Sequence, residues 1–235
     1  MFKYSQEYLE QLILDIYNGV VSVENLPVNL YHAISEYLLS AFDKIEGKAS
    51  QSLLSALSTN IHEFSAAKVY QQINDISLVK DNETIKSFAA FRDEALQIYD
   101  KYNLNWLQTE YSTAVAQSQN AVRWEQIQDQ KKTLPYLQYS AVLDSQTSEI
   151  CAPLDGICLP VDDAFWATNA PENHWNCRCL LIQLDETDAN VTPEEDATKA
   201  DAEISGMRQP MFANNVGMTG EIFPKDHPYY DMTDE

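Results

Sequence analysis

His174-Trp175-Asn176-Cys177-Arg178-Cys179-Leu180-Leu181-Ile182-Gln183-Leu184 is the stretch on which the reading of this chain turns. From Cys179 to Leu184 it is the clearest strand in the sequence, a short apolar run of Leu and Ile. Before that, it gathers an imidazole and two thiols, the ligand types that tetrahedral zinc prefers. Cys151 and Cys158 lie upstream, so all 4 cysteines fall between positions 151 and 179. Working outward, Tyr136 to Leu143 is rich in strand formers and stops at Asp144-Ser145, and Gly156 to Pro160 reads as a short strand after a turn. Short strands separated by irregular loops predict a small antiparallel sheet. The loops between Leu143 and Cys179 hold few core residues and would gain from a metal staple. Two other states of the cysteines are open. Reduced and buried, they act as small hydrophobes. Paired, they allow three disulfide connectivities, although nothing here implies an oxidising compartment.

Ahead of this module the periodicity is helical. Leu9, Leu12, Ile13 and Ile16 predict a helix over Ser5–Asn18, closed by Asn18-Gly19. A second is expected after Asn25, with Pro27 near its first turn and Gly47 as its stop, along the stripe Leu30, Ile34, Leu38, Ala41 and Ile45. A third runs from about Ser50 to Gln72, a fourth from Thr84 to Tyr99, and a long polar-rich fifth from Asn105 to Gln130 with Trp106 and Trp124. No Gly or Pro interrupts the chain between Gly47 and Pro135. The expected fold class is α+β, a mostly helical N-terminal region followed by a small α+β module with a short antiparallel sheet and irregular Cys/His-bearing loops. The expected divisions are a helical region at 1–102, the module at 103–186, and an acidic linker with a docked tail at 187–235. Thr187–Ala202 reads as the linker or exposed loop, and the aromatics Phe212, Phe223, Tyr229 and Tyr230 predict that the tail docks.

Composition narrows the class. The 235 residues carry 36 acidic and 15 basic side chains, a formal charge of −21, with 45% hydrophobic residues. Apolar content is too high for a disordered acidic chain, and no run approaches the length of a membrane span. The start, Met1-Phe-Lys-Tyr-Ser-Gln-Glu, lacks the pattern of a secretory signal. Asp185–Glu235 holds 13 acids against 3 bases, about half of the excess charge. A chain so acidic is a poor grip for phosphate backbones.

Catalytic signatures are sparse. No Gly-x-Gly-x-x-Gly or Gly-x-x-x-x-Gly-Lys phosphate cradle occurs. The zinc deaminase pattern fails, since Trp175-Asn176 follows His174 and there is no Cys-x-x-Cys. His174 and Asn176 beside cysteines also suggest a catalytic cysteine–histidine pair or a histidine–metal nuclease, but a nucleophilic cysteine needs an adjacent base and an oxyanion donor, which sequence does not display. His32 and His62 read as structural residues of helices, and Trp166 and Trp175 as local core. The expectation is a protein that is not an enzyme.

Four blocks in order then resemble the phage Mu protein F-like minor head proteins, the phage head morphogenesis family. They are Tyr139-Ser-Ala-Val-Leu-Asp144, Cys151-Ala-Pro-Leu-Asp-Gly156, Val161-Asp-Asp-Ala-Phe-Trp166 running into Ala170-Pro-Glu-Asn-His174, and Asn176-Cys-Arg-Cys179 entering a hydrophobic strand. The tail Phe212-Ala-Asn-Asn-Val-Gly217 with Gly220 to Tyr229, and the helix around Trp106 to Trp124, resemble the same family. The resemblance covers roughly Asn105 to Tyr229 and leaves the first 100 residues unmatched. Cys158 has no counterpart in it, which leaves Cys151, His174, Cys177 and Cys179 as the metal set and zinc as the structural ion. The resemblance implies a minor capsid component of a tailed phage or prophage, working by protein contacts with the portal or other head proteins. It implies a place in the virion, or in the host bacterial cytoplasm during assembly. DNA contact is secondary and no membrane is involved. The competing expectations are a phage-associated nuclease or toxin, and a zinc-stabilised binding module of unrelated function.

Overall fold

The predicted helical stripes and strands are present in the computed structural model, which describes residues 5–81 and 87–231. Helix α1 is Gln6–Tyr17, capped by the Ser5 side chain, which accepts from the Tyr8 N–H. Helix α2, Val28–Leu39, starts after Pro27, whose missing N–H costs nothing at a helix start. A 3₁₀ turn, Ser40–Lys44, replaces the rest of the second predicted helix. Helix α3 is Gln51–Asp81, nine residues longer than its expected end at Gln72. Helix α4 is Phe88–Asp100, capped by Ser87; its expected beginning at Thr84 lies outside the described residues. A π-helical segment, Lys101–Trp106, leads into α5, Leu107–Gln130. The strands are β1 (Tyr136–Ser140), β2 (Cys158–Pro160) and β3 (Leu180–Leu184), and among the described residues they form one antiparallel sheet ordered β2-β1-β3. The fold is therefore α+β.

Between and after the strands come α6 (Trp166–Asn169), α7 (Glu194–Ser205) and α8 (Val216–Thr219). Helix α7 corrects the reading of Thr187–Ala202 as a linker. It buries Ala197, Ala200 and Ile204, and its first turn carries Glu194, Glu195 and Asp196, where acids suit the helix dipole. No helix among the described residues is long and apolar enough to cross a membrane.

The chain divides into two units. One takes residues 1–41, 61–112 and 228–235, and the other 42–60 and 113–227, so α3 and α5 contribute to both. In the first, Tyr17 meets Phe88 and Phe91 with ring centroids 5.1 and 5.2 Å apart. Its interior holds an ion pair, in which Lys68 Nζ donates to Glu110 Oε1 at 2.9 Å with both side chains buried. The Tyr229 hydroxyl donates to the same Glu110 oxygen at 2.8 Å and accepts from Lys68 at 3.2 Å. The Tyr229 ring stacks on Tyr102 and lies beside Phe64 and Trp106. Burial, the largest influence on both partners, lowers the Lys68 pKa and raises that of Glu110, each against the attraction of the other.

In the second unit one core joins the inner sheet face to the helices. Along β1 the burial alternates, with Leu137 and Tyr139 facing inward onto Trp124, Ile127, Trp166 and Ile204. The tail packs closely here. A Cβ on Gly217 would run into the Trp124 side chain, and Gly220 adopts φ +72° with only 2.7 Å between such a Cβ and Ala56 Cβ. The Asn60 amide pairs with the backbone of Phe223 in both directions, at 2.9 and 2.8 Å.

Candidate metal centre

The turn before β3 sets the centre. Cys177 N–H bonds to His174 O at 3.2 Å, closing a tight turn in which Asn176 takes φ +59°. Among residues with a side chain, Asn tolerates that left-handed conformation well. Across from the turn, Cys151 opens the 3₁₀ turn Ala152–Leu154, and its N–H is held by Ser148 Oγ at 3.1 Å. The Cys151 and Cys177 sulfurs are 3.7 Å apart. The potential ligand atoms of Cys151, His174 and Cys177 all lie within 4.8 Å of one another. Cys179 is buried and close enough to influence the Cys151 and Cys177 thiols, but it lies outside the three-residue group whose ligand atoms are within 4.8 Å of one another.

Cys158, by contrast, sits in β2 with its N–H on Thr192 Oγ1 at 2.9 Å, outside this group. None of the 4 cysteines is in a disulfide.

The donor set fits zinc. Two sulfurs at about 2.3 Å from a tetrahedral ion lie about 3.8 Å apart, close to the Cys151–Cys177 spacing. His174 Nδ1 lies 2.9 Å from Trp175 O. Occupied by that carbonyl as an N–H donor, Nδ1 leaves Nε2 for an ion, the usual arrangement for a ligating histidine. The neighbouring Cys177 and Cys179 thiols lower the Cys151 pKa below the ordinary thiol range. Cys177 is pushed up to about 11 by its bond to Cys151. The contact with the Cys151 sulfur also raises the His174 pKa. The structure thus brings together three of the four expected ligands, Cys151, His174 and Cys177, a group that could hold a metal ion.

Around these side chains lies a polar shell that sequence reasoning did not assign. The Tyr139 hydroxyl donates to Cys151 Sγ at 3.4 Å and accepts from Asn173 Nδ2 at 3.1 Å. Asn173 Oδ1 accepts in turn from Arg208 at 2.9 Å. Glu172 is buried, and burial pushes its carboxyl up to about 8 against the pull of His174. Its Oε2 has no partner among the described residues. Outside the cluster, Arg178 makes a two-pronged bond to Asp144 at 2.8 and 2.8 Å, tying the end of the β1 loop to the Cys177–Cys179 segment. Trp175 packs edge-on against Phe212 of the tail, 5.1 Å between centroids. The strand alternation that turns Tyr139 inward was the signal available for the shell.

A short sheet, irregular loops and a thiol–imidazole cluster at the root of an edge strand define a small α+β module built around a potential metal centre. Residues 66–182 match the family model of Phage Mu protein F like protein, and over this segment the chain is phage Mu F-like. It is 38% identical over 78 residues to the putative capsid assembly protein F of Escherichia phage Mu, covering 33% of this chain and 18% of that protein. It is 36% identical over 80 residues to the Mu-like prophage FluMu F protein of Haemophilus influenzae, covering 34% and 18%. The chain thus matches less than a fifth of the length of either relative. No solved structure matches it.

Proposed function

We propose that this chain is a head-assembly component of a tailed phage or prophage, acting by protein contacts near the portal, and that Cys151, His174, Cys177 and Cys179 hold a structural zinc. The observation that carries the reading is where the family match ends. Residues 66–182 run through the whole Cys–His cluster and into the strand behind it. The part of the chain like Mu F is the part that builds the centre, and the Mu relative bears the name of a capsid assembly protein.

The chain acts as a structural partner rather than as an enzyme. Its partners are the portal and other head proteins, and it resides in the virion, or in the host bacterial cytoplasm during assembly. DNA contact is secondary. Supporting this, several cations are already engaged by acids: Lys131 by Asp162 at 2.8 Å, Arg178 by Asp144 at 2.8 Å and Lys68 by Glu110 at 2.9 Å. A net charge of −21 also repels phosphate backbones overall. Bound zinc would supply four strong bonds to loops that have few apolar residues of their own. The chain's own residues orient the donors, through the Asn176 turn, the Trp175 carbonyl and the Tyr139 hydroxyl.

Expression of the chain with its neighbouring head genes should place it in purified heads or in assembly intermediates. Absence from both overturns the assembly reading. Protein purified without added zinc should carry about one equivalent by elemental analysis, and Cys177→Ser should lose it. A metal-free protein whose melting temperature ignores chelators removes the zinc while leaving the assembly reading standing.

A further inference from the structure

We propose that Arg208 is a positioning residue of the metal centre: it sets the direction of the hydrogen-bond chain Arg208–Asn173–Tyr139–Cys151 and thereby aims the Tyr139 hydroxyl proton at a ligand sulfur. This role rests on the zinc reading and deepens it. Arg208 follows α7, with its N–H on Ile204 O at 3.0 Å, and lies beyond the family match at residues 66–182. Its side chain is only 6% exposed. Nη1 donates to Asn173 Oδ1 at 2.9 Å, to Asn169 Oδ1 at 2.7 Å and to Thr168 O at 2.9 Å. Asp201 of α7 accepts from Asn169 Nδ2 at 2.9 Å and lies 3.7 Å from Arg208 Nη2. Together they clasp the loop that leads to His174.

Each link of the chain has a polarity. A guanidinium donates and cannot accept, so it fixes which end of the Asn173 amide faces it. Oδ1 takes that place, and Nδ2 is left to face the Tyr139 oxygen at 3.1 Å. The carbonyls of Asn169 and Ala170 favour the same orientation from 3.3 and 3.5 Å, but these contacts are longer and uncharged. Having accepted from Asn173, the Tyr139 hydroxyl keeps its own proton for Cys151 Sγ, 3.4 Å away. Were the amide reversed, Oδ1 would draw that proton and the sulfur would lose its donor. Tyr139 and Asn173 are both fully buried, so solvent does not supply a substitute. A hydrogen bond donated to a ligand sulfur supports the charged form in which it binds a metal and holds it in place. Arg208 therefore acts on the centre through two intervening side chains.

Zinc competition against a chromophoric chelator, on the full chain, reads this role. Tyr139→Phe keeps the ring and deletes only the hydroxyl, and should weaken zinc binding about 10–100-fold. Arg208→Met should weaken it by a comparable factor, although the residue offers no ligand. Because both act through one chain, the double variant should bind no more weakly than the weaker single variant, whereas independent effects would multiply. Arg208→Lys retains a donor-only head and should bind nearly as the parent chain does. An Arg208→Met chain that binds zinc like the parent, or losses that multiply in the double variant, overturns the role of Arg208 and leaves the zinc reading standing. A loss as large in Arg208→Lys as in Arg208→Met points to packing alone and overturns it equally. A parent chain that takes up no zinc overturns both.

Discussion

Lys68 is tolerable in the interior only because Glu110 and the Tyr229 hydroxyl meet it there. Removing one partner of a buried ion pair strands the other without solvent. Lys68→Met should therefore destabilise the chain by about 3–5 kcal/mol in chemical denaturation. The double change Lys68→Met with Glu110→Leu should recover most of that loss, because no charge then remains buried. Asp144 illustrates the opposite, exposed case. The bidentate Arg178 bond, its first cause, holds the Asp144 carboxyl down at about 2. A depressed carboxylate favours the folded state above the ordinary carboxylate range and loses that contribution as the pH falls toward 2. NMR of the Asp144 carboxyl should show the low midpoint, and Arg178→Ala should raise it, leaving the smaller pull of the Gln146 N–H in place. At this scale the candidate ligands Cys151, His174 and Cys177 were legible, because thiol and imidazole announce their chemistry by type. Tyr139, Asn173 and Glu172 were not. Their roles depend on which face of a strand or loop they occupy, and their residue types are common in ordinary folds.

Among elements, the long helices were readable from their apolar stripes, while their ends were not. Helix α3 passes Gln72 because Ile73 and Ile76 continue the buried stripe. Helix α7 was missed because its buried stripe is mostly alanine. Ala197, Ala200 and Ile204 lie at helical spacing but register weakly as hydrophobes among so many acids. The acidic first turn after Pro193 was the overlooked start signal. The tail element α8 is fixed by closeness rather than by apolar bulk. Gly217→Val would drive methyl groups into Trp124. It should cost about 1–3 kcal/mol, read as a lower melting temperature, whereas Gly206→Ala, with open space around it, should be nearly silent.

For the molecule as a whole, the two units divide the work differently from the linear order of the sequence. The unit of 42–60 and 113–227 contains the Cys–His cluster. Hydrogen exchange after chelation should therefore quicken first in residues 141–179, with α1 and α4 keeping their protection; equal loss everywhere would contradict a local staple. The acidity read at the outset stays a property of the surface, since the chief buried exceptions are paired or neutralised. The Tyr229 contact carries a temporal consequence. The helical unit borrows residues 228–231, which the ribosome makes more than a hundred positions after Glu110. Until Tyr229 emerges, the Lys68–Glu110 pair lacks its hydroxyl and Tyr102 its stacking ring. Closure of the helical unit thus waits for residues made after the whole of segment 113–227.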